Sequence, residues 1–75
     1  MAIRIIESYA VDTIEILTAG GNWRSEVRVK SIASTQLLKT AALKATFDTK
    51  ELAEIAGIKA GQNLIEELKK SSAAL

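Results

Sequence analysis

Apolar and polar side chains alternate along the first half of the chain and change to a longer period in the second. Ile14 and Ile16 alternate with Thr13 and Glu15, and Trp23, Ser25, Val27 and Val29 alternate with Arg24, Glu26, Arg28 and Lys30. A period of two sends successive side chains to opposite faces of a strand, so both segments are predicted as half-buried strands. The second has one apolar face and one mostly basic face. Between them, Ala19-Gly20-Gly21-Asn22 supplies residues that enter positive φ at little cost, which predicts a hairpin turn. Upstream, Ile3, Ile5, Ile6 and Tyr9 form a β-branched and aromatic stretch that either adds a third strand or makes a separate arm, with Ala10-Val11-Asp12 as a weak turn.

From Ser34 onward the spacing is helical. Leu37, Leu38, Ala41, Ala42 and Ala45 recur at three and four residues behind a Ser34 or Thr35 cap, which predicts a first helix. Phe47-Asp48-Thr49-Lys50-Glu51-Leu52 has the form of a capping box, with Asp48 as cap, Glu51 reaching back and Phe47 stapling onto Leu52. The second helix so started turns Leu52, Ala53, Ile55 and Ala56 inward and is expected to stop at Gly57, a left-handed C-cap. A last helix from Lys59 or Ala60 presents Ala60, Leu64, Ile65 and Leu68. The expected fold is α+β: an N-terminal antiparallel β-hairpin or three-stranded meander followed by two or three short α-helices. It forms a single small domain over residues 1–70, with a frayed tail at 71–75.

With 75 residues the chain has room for one core, and a core of this size is worth only a few kcal/mol once ordering entropy is subtracted. There is no cysteine, histidine or proline, and 48% of the residues are hydrophobic. Disulfides and Cys/His zinc sites are therefore excluded, and self-association is the expected addition to the core. Acidic residues interrupt the first twenty positions and no stretch reaches the length of a membrane span, so a soluble cytoplasmic protein with no membrane partner is expected. Net charge is +1 but unevenly spread, since residues 24–47 hold Arg24, Arg28, Lys30, Lys39 and Lys44 against Glu26 alone. That third is the candidate for contact with an anionic partner.

Catalytic chemistry has little to draw on. Without histidine or cysteine the usual base and nucleophile are missing. The pairs Asp12/Glu15, Asp48/Glu51 and Glu66/Glu67 are accounted for by divergent strand faces, by capping and by a charged helix surface. No catalytic residue, metal ligand or cofactor is assigned, and an enzyme is not expected. Gly20-Gly21 lacks a following Gly-Lys-Ser/Thr and reads as a turn, not a phosphate cradle.

The segment Thr49-Lys50-Glu51-Leu52-Ala53-Glu54-Ile55-Ala56-Gly57-Ile58 resembles the first half of the helix-turn-helix motif of bacterial and phage DNA-binding proteins. The resemblance covers ten residues and implies a recognition helix whose early polar positions, Lys59, Gln62 and Asn63, reach base edges. Its register departs from the motif: the buried aliphatics fall at Leu64, Ile65 and Leu68, and Gly61 sits inside the would-be recognition helix. Two expectations result. The first is a small non-enzymatic protein-interaction module, a homo-oligomer serving as structural component, adaptor or inhibitor, that associates through Leu37, Leu38, Leu64, Ile65 and Leu68. The alternative is a small DNA-binding transcriptional regulator, with Arg24, Arg28 and Lys30 on phosphates or Lys59, Gln62 and Asn63 in the groove of duplex DNA.

Overall fold

A computed structural model describes residues 2–73. Four strands, β1 (Ala2–Ile6), β2 (Tyr9–Leu17), β3 (Trp23–Ser31) and β4 (Leu37–Ala42), are followed by one helix, α1 (Lys50–Ala73). The strands form an antiparallel meander in the order β1-β2-β3-β4. The fold is therefore α+β, with four strands and one helix where fewer strands and more helices were expected.

The alternation read from the sequence sets the two faces of the sheet. In register, Val11 opposes Val29 and Thr13 opposes Val27, while Asp12 opposes Arg28 and Ile14 opposes Glu26. Directly opposed residues share a face. Val11, Thr13, Ser25, Val27 and Val29 are fully buried beneath α1, and the intervening residues form the opposite, open face. The β2–β3 hairpin turns where expected: Gly21 takes φ 85° and donates its N–H to the Thr18 carbonyl at 3.0 Å.

The first connection lies earlier than Ala10-Val11-Asp12. Those three residues run inside β2, and the reversal is made at Glu7-Ser8, with Glu7 at φ 57°. Ile3 to Ile6 thus pair in the sheet.

The predicted first helix is strand β4. Its leucines and alanines have helical spacing, but pairing with Glu26 to Lys30 completes the hydrogen-bonding edge of β3, and the tertiary demand overrides the local pattern. A bulge beside Val29/Lys30 leaves Leu38 as the extra residue, so Leu37 and Lys39 fall on opposite faces. Lys39 then reaches across to Glu67 of α1 at 3.1 Å.

Gly57 does not end a helix. Residues 50–73 form one continuous α1, and there is no turn of the helix-turn-helix kind within it. The glycines serve close approach instead. A Cβ built on Gly57 would lie 2.4 Å from Ser25 Oγ and 2.9 Å from Thr13 Cγ2, and one on Gly61 would lie 2.4 Å from Val11 Cγ1. Ala53, Gly57, Gly61 and Ile65 recur every four residues, so the first three make a flat seam on which the helix lies against β2 and β3. Beside it, Ile58 and Ile65 pack with Val11, Val27 and Val29, flanked by Ala60, Leu64 and Leu68 as their spacing predicted.

The start of α1 is one residue from its expected place. Leu52 N–H donates to Thr49 Oγ1 at 3.1 Å, and Ala53 N–H to the Thr49 carbonyl at 3.2 Å, making Thr49 the cap instead of Asp48. Phe47 is held by a two-bond bridge to Trp23, and Leu52 and Ile55 are exposed rather than turned inward. Of the segment expected to fray, residues 71–73 continue α1, and residues 74–75 lie outside the described residues.

Candidate functional site

The residues proposed for nucleic-acid contact fall on two separate surfaces. Arg24, Arg28 and Lys30 line up along β3 on the open sheet face, as the period of two requires. Lys59, Gln62 and Asn63 are exposed on α1, which covers the opposite face.

On the open face each basic group has a carboxylate neighbour. Arg24 Nη1 lies 3.3 Å from Glu26 Oε2. Asp12, only 9% exposed, sits between Lys30 Nζ at 3.2 Å and Arg28 Nη2 at 3.8 Å. The surface is thus three cations against two carboxylates, partly neutralised within itself. No aromatic side chain lies on it among the described residues: Trp23 and Tyr9 both point to the helix side, where Lys50 Nζ stands 5.9 Å from the Trp23 ring centre.

Beside this charged column runs an aliphatic one. Ile14 and Ile16 of β2 are half-buried, and Ile3 and Ile5 of β1 are 66% and 59% exposed. By register these four share the open face, since Ile3 opposes Asp12 and Ile5 opposes Ala10. The sequence alone marks them as strand formers, because period two gives the face but not which face the helix leaves bare.

The residues proposed for association divide likewise. Ile65 is in the core and Leu64 and Leu68 pack against it, so the helix turns this stripe inward within its own chain. Leu37 and Leu38 are exposed on the outer strand β4.

One concavity lies between α1 and β1. It has a volume of about 330 Å³ and is lined by Arg4, Glu54, Ile55, Ile58, Lys59 and Gln62. Arg4 opposes Val11 and so faces the helix side, on an edge strand that α1 covers little. Neither Arg4 nor Lys59 has an ion-pair partner within 4.0 Å among the described residues. The sequence signal for this groove was the single arginine in a run of isoleucines.

Among the described residues no cluster of acidic side chains could hold a metal ion, and no helix is long and apolar enough to cross a membrane. No protein-family model matches the chain, and no curated protein or solved structure is significantly similar to it.

Proposed function

We propose that this chain is a non-enzymatic protein-interaction module that self-associates through its open sheet face. The observation that carries this reading is the pairing of an uncovered aliphatic column, Ile3, Ile5, Ile14 and Ile16, with a charge column that is already ion-paired. A sheet that buries one face under a helix commonly leaves the other polar; exposed aliphatics grouped on it mark a contact surface. Nine-residue strands run about 30 Å and four strands span about 15–19 Å, so the face offers several hundred Å², the scale of one side of a standard interface. Two such faces can stack as aligned sheets about a two-fold axis, each aliphatic column meeting its symmetry mate. Because Asp12 already compensates Lys30 and Arg28, covering them costs less than covering lone charges.

Duplex DNA binding is the second reading, favoured by the excess of three cations over two carboxylates on the open face and by Arg28 and Lys30 as neighbours along β3. It has less support, because the basic groups are ion-paired and the helix lacks the turn that would set a recognition helix. Light scattering on the parent and an Ile14→Glu variant tests the first reading: a fall from two chains to one supports it, and an unchanged mass opposes it. A DNA titration at about 50 mM salt tests the second, for which micromolar binding with a steep salt dependence is required. There, Arg28→Ala and Lys59→Ala separate the sheet from the helix.

A further inference from the structure

The edge of β1 is left unfinished on both of its faces. On the open face Ile3 and Ile5 stand exposed. On the helix side lies the groove of about 330 Å³, with Ile55, 66% exposed, and Ile58 on its wall and floor and two cations, Arg4 and Lys59, that have no ion-pair partner among the described residues. Between these faces β1, as an edge strand, directs every second backbone N–H and C=O away from β2. A small molecule in the groove would account for the cations alone. A strand laid beside β1 accounts for all three features.

We propose that the β1 edge accepts an extended peptide as a fifth strand, in which acidic side chains on the helix side alternate with aliphatic side chains on the open side. Backbone pairing to β1 would hold it, its carboxylates would meet Arg4 and Lys59, and its aliphatic side chains would cover the outer flanks of Ile3 and Ile5. Glu54, which also lines the groove, leaves it with two cations against one carboxylate, so the preference is for an acidic strand. A second copy of β1, Ala2–Ile6, has no carboxylate to offer Arg4 or Lys59 and would bring a further arginine to the groove. The occupant is therefore a different, acidic segment. This strand lies beside the sheet face proposed for self-association, not over it, and its test is separate.

The probe is a fluorescein-labelled seven-residue peptide alternating valine and glutamate, titrated with the full chain and read by anisotropy, with a valine–lysine peptide as counterpart. Expected are saturable binding of the glutamate peptide, at least about tenfold weaker binding of the lysine peptide, and a similar loss in Arg4→Glu and in Lys59→Glu. Both substituted side chains are exposed, and circular dichroism checks that the variants fold. In amide exchange, protection on peptide addition is expected in β1 and not in β4. Equal affinity for the two peptides, no binding of either, or protection confined to β4 would overturn the proposal. Should a variant fail to fold, the comparison of the two peptides on the parent chain still decides. The mass of the peptide-free chain reads self-association independently, so failure of one proposal is distinguishable from failure of the other.

Discussion

Replacing Gly61 with alanine sets two opposing effects against each other, and the structure decides the sign. In a solvated helix the change stabilises by about 1 kcal/mol, because glycine loses more backbone freedom on folding. Here the added methyl would lie 2.4 Å from Val11 Cγ1 and 3.3 Å from Val27 Cγ2. Carbon atoms in contact prefer about 3.5–4.0 Å, so the helix would have to lift by roughly 1 Å over a fully buried, β-branched valine that has no flexible end to move. Overpacking of this kind costs about 1–3 kcal/mol, and lifting also loosens Ile58 and Ile65. The expected net effect is a destabilisation of up to about 2 kcal/mol, which in a domain of this size lowers Tm by about 4–8 °C per kcal/mol. Urea unfolding followed by circular dichroism measures it. In the cycle with Val11→Ala the two changes should partly compensate, giving a favourable coupling above about 0.5 kcal/mol. A Gly61→Ala variant about 1 kcal/mol more stable than the parent would mean that Gly61 lies on an open helix surface and not against Val11.

Three further outcomes follow from local geometry. Thr49→Ala should cost about 1 kcal/mol and Asp48→Ala clearly less, because Thr49 accepts the Leu52 N–H; the reverse ranking in urea midpoints would restore the capping box. Thr35, β-branched at φ 55°, should be improved by Thr35→Gly, with a gain of up to about 1 kcal/mol visible as a higher Tm. Hydrogen bonding to Glu7, at 2.7 Å, holds the Lys69 ammonium above its ordinary value of 10.5. A raised folded pKa means the contribution is present below the unfolded value and disappears as pH rises through the folded one. The small difference in urea midpoint between parent and Glu7→Gln should therefore persist from neutral pH to about 9 and vanish in strongly alkaline solution; a difference that grows there would contradict it.

The two strands around Gly20-Gly21 were legible because period two and a positive-φ turn are local properties. So was the start of α1, within one residue. What local patterns could not settle was the use made of small residues. Ala41 and Ala42 read as helix because alanine favours it, yet the demand that settled them is the open edge of β3, a long-range matter. Gly57 read as a stop because a turn and a close packing both call for glycine; only the presence of Thr13 and Ser25 beneath it distinguishes them. The candidate sites followed the same rule. Arg24, Arg28 and Lys30 were correctly placed on one face, but Asp12, which ion-pairs with two of them, comes from the neighbouring strand. Lys59 and Gln62 were singled out as base readers and line a groove whose other cation, Arg4, lies more than fifty residues away in sequence.

The claim that the open sheet face joins two copies is tested most directly by sedimentation equilibrium of the parent chain across a hundredfold range of concentration at physiological salt. The mass should rise toward twice the 8.1 kDa chain, and that rise should shift to higher concentration in Ile5→Glu and Ile14→Glu. A mass of one chain throughout would contradict it.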